Sequence, residues 1–251
     1  MGDYRLSHVN PGRGAKYDSL YSPGSALAFY WDHFERPYLQ AQFAKAAAGR
    51  TRARYLDFAC GTGRILSLGA ATLPDAVGID VSAPMSDVAR SKVPAARIIR
   101  GDVLTEPIEV GTFDVITLFR FLVRAGALRE EVVGWLRGHI ASDGVFIVNN
   151  HRNANSIRGL VFRVVERIRR SGAEAEILSD REVRALLARC GFRVVDDFAF
   201  GVVPSYRGHL VVPRPLLLWV ERRAVASGFL RKVAKNRVYV CRPVAPRLSA
   251  A

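Results

Sequence analysis

The 251-residue sequence predicts an α/β fold: a doubly wound open sheet, mostly parallel with an antiparallel last strand, and helices on both faces. Three observations carry this. From residue 53 onward, short apolar runs alternate with stretches of helical periodicity. The first run ends Leu56-Asp57-Phe58, breaks into the turn Gly61-Thr62-Gly63, and gives way to a helical pattern at Ile65 and Leu66. Acids then recur at the ends of the following runs, Asp80 and Asp102. That rhythm gathers one ligand site along the carboxyl edge of a parallel sheet.

The elements follow in order. Residues 1–23 are rich in Gly, Pro, Ser and Tyr and read as loose chain. A helical pattern over about 24–48 carries Phe29, Tyr30, Trp31, Phe34 and Tyr38 and is expected to break at Pro37. The core then reads strand 53–58, helix 63–71, strand 75–79, helix 83–92, strands 97–101 and 113–118, helix 127–140 and strand 145–149, the last entered through Asp143-Gly144. A basic amphipathic helix over 155–170, a helix over 179–190 and a strand over 192–199 come next. A polar-apolar insertion around 211–223 precedes the last strand, Arg237-Val238-Tyr239-Val240-Cys241. No repeat or low-complexity linker divides the chain. One domain is expected over 1–251: N-terminal lid and helices over 1–50, a core over 51–151, and a basic C-terminal half over 152–251.

The turn and its acids resemble class I S-adenosylmethionine-dependent methyltransferases, of the small-molecule type, whose fold is Rossmann-like. The first motif of that family, an acid followed by small residues and glycines, is matched by Asp57, Ala59, Gly61 and Gly63; the family usually has Gly where Ala59 stands. The resemblance implies that Asp80, followed by Val81, binds the cofactor's ribose hydroxyls. It also implies that Asp102 meets the adenine amino group beside the Val103 N–H, and that Asp114 through Phe119 forms the fourth motif. Elementary chemistry agrees: hydroxyls and amino groups are donors, and ionised carboxylates accept. A nicotinamide dinucleotide domain also ends its second strand in an acid. Its fingerprint, however, wants a small third residue where Leu66 stands, and it includes neither Asp57 nor Arg64. S-adenosyl-L-methionine is the expected cofactor, and the resemblance says little about substrate.

Methyl transfer from a sulfonium is a direct displacement, so alignment matters more than covalent chemistry. Should the acceptor be a hydroxyl, a base helps, and His151 in Asn149-Asn150-His151-Arg152-Asn153 is the candidate; capping the next helix is its plainer role. Arg120 and Arg124 follow the fourth strand at the same edge and are candidates for gripping an acidic substrate group, or for surface ion pairs. Tyr17, Tyr21 and Trp31 are candidate lid residues, with Tyr21 and Trp31 offered as substrate contacts. Ordinary packing is the alternative.

Charge is unevenly spread. Residues 1–151 carry 17 Lys/Arg against 15 Asp/Glu, while 152–251 carry 20 against 8. Such asymmetry suits an anionic partner: a phosphorylated small molecule, a membrane surface in peripheral contact, or nucleic acid. An arginine-rich surface with no partner is the bland reading. In the 155–170 helix, Ile157, Leu160, Val161, Val164, Val165 and Ile168 form a stripe expected to pack as core, beside Arg158, Arg163, Arg167, Arg169 and Arg170. RNA ranks behind a small molecule because Thr117-Leu118-Phe119-Arg120 lacks the Asn/Asp-Pro-Pro-aromatic sequence of amino-methylating members, and no cysteine stands at that edge. A non-catalytic module of the same fold is a further alternative. Cys60, Cys190 and Cys241 lack pairing or metal spacing and read as buried thiols of a reducing cytoplasm; no metal is expected. No run is long and apolar enough to cross a membrane, and the N-terminus lacks a signal-like apolar core.

Overall fold

The computed structural model describes residues 10, 12–169, 177–206 and 209–245. Seven strands form one sheet in the order β3-β2-β1-β4-β5-β9-β6. They are β1 (Arg54–Phe58), β2 (Asp75–Asp80), β3 (Arg97–Arg100), β4 (Phe113–Leu118), β5 (Ile140–Asn150), β6 (Phe192–Phe200) and β9 (Asn236–Pro243). β1 to β5 pair in parallel, and β9 slots antiparallel between β5 and β6. A two-stranded ribbon, β7 (Ser205–Tyr206) and β8 (His209–Leu210), stands apart.

Alternation along the strands explains why both faces are covered. Tyr55, Val115, Ile147 and Val240 enter one apolar cluster; their neighbours Leu56, Ile116, Phe146 and Cys241 enter the other. On the first face lie α3 (Arg36–Ala47), α4 (Arg64–Ala70) and α9 (Arg214–Ala226), through Leu39, Phe43, Ile65, Leu66 and Leu217. On the second lie α6 (Leu128–Gly138) and α8 (Asp180–Arg189), through Val132, Val133, Leu136, Val183 and Leu187. Fully burying each such side chain contributes about 1.5–3 kcal/mol, so the central strands are the rigid frame on which the loops ride. From β1 the chain winds outward to β2 and β3, then returns to the other side of β1 as β4. This reversal is the switch point at which open α/β sheets hold ligands.

Four expectations need correcting. Pro37 does not break its helix: α2 (Ala26–Tyr30) passes through a π-helical turn, Trp31–Glu35, into α3. The wider turn just before Pro37 absorbs its missing N–H and the crowding of its ring against the preceding turn. Residues 13–19 form a helix, α1 (Arg13–Ser19), where loose chain was expected. It lies against α5 (Ala83–Lys92), so closely that a Cβ on Gly14 would come within 2.5 Å of the Pro84 carbonyl oxygen. The stripe on α7 (Ile157–Arg169) is not core: Ile157, Leu160, Val161 and Val164 are exposed. The inward face instead holds Gly159, where a Cβ would press within 2.6 Å of the carbonyl oxygens of Asn153 and Ala154. The side chains of Val165, Arg167, Ile168 and Arg169, and all of Arg170, lie outside the described residues. Cys60 and Cys241 are buried, but Cys190 at the end of α8 is half-exposed, its Sγ against the Glu130 carbonyl.

Candidate active site

One cavity of about 530 Å³ opens at the carboxyl edge, within the roughly 300–1,000 Å³ typical of small-molecule sites. Its first wall comes from the ends of β1, β2 and β3 and contains Ala59, Gly61, Asp80, Val81, Asp102 and Val103. Gly61 sits at φ 54°, and a Cβ there would meet nothing within 4 Å, so this backbone faces open space suited to a ligand. Asp80 is braced by two backbone donors: the Gly61 N–H reaches Oδ2 and the Ser82 N–H reaches Oδ1, each at 2.8 Å. Each carboxylate oxygen keeps a lone pair for a further donor. Burial raises the Asp80 carboxyl above its ordinary range, opposed by those same two N–H groups. Asp102 accepts the Leu104 N–H at 3.0 Å.

Two members of the turn lie behind this wall rather than on it. Asp57 is buried, 2% exposed, and accepts the Thr117 hydroxyl at 2.7 Å. It therefore ties β1 to β4 beneath the turn. Thr117 in turn is within 2.8 Å of the Tyr55 hydroxyl, which completes a buried polar chain. Burial pushes Asp57 up to about 7, while Thr117, Arg64 and the Leu66 N–H hold it down. Gly63, at φ 76°, is where the turn meets α5: a Cβ would stand 3.2 Å from Ala89. Ala59 lies at φ 54°, left-handed backbone that favours glycine, so alanine there is strained rather than neutral.

The N-terminal helices clamp this turn. Thr62 donates to Asp18 at 2.5 Å, and Lys92 pairs with the same carboxylate at 2.5 Å. Arg64 pairs with Glu35 at 3.3 Å while its guanidinium lies over Trp31 (4.0 Å) and Tyr21 (4.3 Å). Trp31 and Tyr17 line the cavity; Tyr21 does not, because it is occupied in covering Arg64.

The opposite wall comes from the ends of β4, β5 and β9 and from α7: Phe119, Arg120, Arg124, His151, Arg152, Arg158 and Lys235. Arg120 takes φ 58°, and its N–H is held by the Asn149 side-chain oxygen at 2.7 Å; the Asn149 amide donates to Glu35 at 3.3 Å. Asn153 fixes the segment before β9, donating to the carbonyls of Lys232 (3.2 Å) and Ala234 (2.8 Å). His151 is 8% exposed, with Nδ1 buried and without a hydrogen bond. Its pKa lies well below the usual histidine value because of burial and then the charges of Arg120, Arg152, Arg124 and Lys235. Sequence reasoning missed Glu35, Arg152, Arg158 and Lys235. Glu35 and Lys235 had no motif to mark them, whereas Arg152 stood inside the cluster that drew attention to His151.

Residues 56–144, which span β1 to the start of β5 and include the whole first wall, match the family model described as a methyltransferase domain. The matched stretch is a methyltransferase domain, and S-adenosylmethionine is its cofactor. No curated protein matches its sequence. The fold of the methyltransferase is similar to a TehB-like S-adenosylmethionine-dependent methyltransferase from Corynebacterium glutamicum, with a TM-score of 0.54 and 19% identity, covering 93% of this chain and 100% of that one. It is also similar to magnesium protoporphyrin IX methyltransferase from Synechocystis with bound S-adenosylhomocysteine, with a TM-score of 0.54 and 15% identity, covering 91% and 93%. A third similar chain is a Haloferax volcanii putative methyltransferase in complex with the Trm112 activator, with a TM-score of 0.57 and 15% identity, covering 92% and 97%. Among the described residues no His, Cys, Asp or Glu group is arranged to hold a metal, and no helix is long and apolar enough to cross a membrane.

Proposed function

We propose that the methyltransferase transfers a methyl group to a hydroxyl oxygen of a small anionic acceptor, with His151 as general base. The observation that carries this is the division of one cavity into an acid-and-amide wall and a wall of cations around a neutral, buried imidazole. When bound, S-adenosylmethionine supplies an electrophilic sulfonium methyl. Asp80 accepts from its ribose hydroxyls, Asp102 and the Val103 N–H meet its adenine, and Gly61 lets the backbone approach. Ala59, Val81 and Phe119 complete the apolar lining, and Asp57 and Gly63 hold the turn in shape. On the other side, Arg120 and Arg124 draw in the acceptor's charge, Trp31 covers it, and His151 takes the hydroxyl proton.

The test is transfer of label from methyl-labelled cofactor into a cell extract resolved by anion exchange. Label should enter small, strongly retained products. Label in RNA, or in neutral products only, contradicts the acceptor class and leaves the methyltransferase assignment untouched. A lipid-linked form of the same acceptor has separate support. Exposed Leu160, Val161 and Val164 on α7, and Leu216 and Trp219 on α9, stand beside arginines in the half of the chain that holds most of the positive charge. Cosedimentation with anionic but not neutral vesicles is expected for that form; no sedimentation with either would remove it.

A further inference from the structure

The cationic wall is assembled against its own electrostatics. Arg120 and Arg124 arrive from the end of β4, Arg152 from the end of β5, Arg158 from α7 and Lys235 from the segment before β9, and all line one cavity with His151. Among the described residues no carboxylate makes an ion pair with Arg120, Arg158 or Lys235. Glu35, the acid closest in function, is committed to Arg64 and Asn149. Asp80 and Asp102 stand on the opposite wall. Burial, together with Arg158, Arg120 and Arg152, brings Lys235 down to about 8. Like charges gathered around one cavity repel one another, and a bound anion is what offsets that repulsion.

We propose that Arg120, Arg158 and Lys235 form a subsite for a doubly charged, phosphate-class oxyanion on the acceptor, and that filling it turns His151 into a working base. The proposal rests on the acceptor reading given above. Three cations outmatch a single carboxylate, and guanidinium forks beside an ammonium suit a tetrahedral dianion.

The coupling follows from what faces the imidazole. Arg120, Arg124, Arg152 and Lys235 each disfavour its protonated form, and burial adds to them. Arg158 bears on Lys235, while Glu35 and the ring hydroxyls of Tyr17 and Tyr21 bear on Arg120. With the subsite empty, His151 is neutral but holds a proton poorly. A dianion among the cations cancels their field and raises the imidazole toward the range in which a base works. The acceptor's O–H proton then passes to the imidazole as the O–CH3 bond forms and the S–CH3 bond breaks, leaving a neutral thioether. An alcohol without the anion would leave His151 a weak base, so discrimination falls on turnover as well as on binding.

The probe is sulfate, which keeps both charges across the range titrated. Histidine-labelled protein saturated with S-adenosylhomocysteine is titrated by NMR, with His151 assigned by loss of its signal in His151→Gln. Sulfate should raise the His151 pKa by about 1 or more, a tenfold change in proton affinity. Acetate should raise it far less. Lys235→Met should raise it without sulfate and weaken sulfate binding; should that variant not fold, Arg158→Gln should weaken sulfate binding. Failure of sulfate to bind, or binding without movement of His151, overturns the proposal, and an equal response to acetate overturns the dianion assignment. Calorimetry of S-adenosylhomocysteine on the same sample separates this from failure of the methyltransferase reading, which would abolish cofactor binding.

Discussion

The two walls of the cavity are built by opposite strategies. The first takes its polar groups from turns directly after three neighbouring parallel strands, so each acid sits at a strand end and is braced by local amides: Gly61 and Ser82 on Asp80, Leu104 on Asp102. The second collects cations from β4, β5, α7 and the segment before β9, held by long-range asparagine contacts from Asn149 and Asn153. A wall made of local turns is fixed by nearby sequence and suits a constant ligand. A wall made of distant segments can change its chemistry one segment at a time, and it suits the ligand that differs between enzymes.

The contrast can be broken most forcefully at His151. If the second wall carries the proton transfer, His151→Ala lowers turnover about a hundredfold or more while leaving affinity for S-adenosylhomocysteine unchanged. Near-normal turnover would make the wall a binding surface only.

A second effect, of up to a few kcal/mol, separates support from contact on the first wall. Asp57 is raised from 3.8 to about 7 in the folded protein. Between those values the folded state holds a proton that the unfolded chain has lost, so stability falls as pH rises through the window and the penalty is complete above it. Asp57→Asn should flatten thermal stability between about pH 4 and 7. An unchanged slope would mean that the carboxylate is better satisfied than its orphaned Oδ2 implies.

The smallest effect concerns Ala59. Left-handed backbone costs a non-glycine residue about 1–2 kcal/mol, and a glycine's added freedom in the unfolded chain takes back about 0.4–1. Ala59→Gly should therefore raise the melting temperature by a few degrees at most, about 2–4 °C per kcal/mol. A fall in calorimetric melting temperature would show that the alanine methyl packs usefully at this position.

Legibility in the sequence followed the same division. The strands and the acids Asp80 and Asp102 could be read because each signal is local: an apolar run, a glycine turn, an acid. Asp57 was legible as part of the turn, but its place behind the wall was not. A carboxylate that accepts a buried hydroxyl from the neighbouring strand looks the same in sequence as one that meets a ligand. Lys235 carried no signal, since only the crossing of β9 beside β5 brings it to His151. The α7 stripe was misread because helical periodicity reports that one face is apolar, not which face turns inward. There the close fit of Gly159 against Asn153 and Ala154 decided the rotation.

The division of labour between the walls is tested most directly by pairing Asp80→Ala with Lys235→Met. Calorimetry would measure the Kd for S-adenosylhomocysteine, and steady-state kinetics the KM for the acceptor identified by label transfer. Asp80→Ala should weaken cofactor binding by about 1.5–3 kcal/mol, the range for hydrogen bonds to a charged group, with acceptor KM little changed. Lys235→Met should raise acceptor KM by about tenfold or more, with cofactor Kd little changed. Equal effects of the two substitutions on both constants would contradict the account, because the cavity would then be one undivided site.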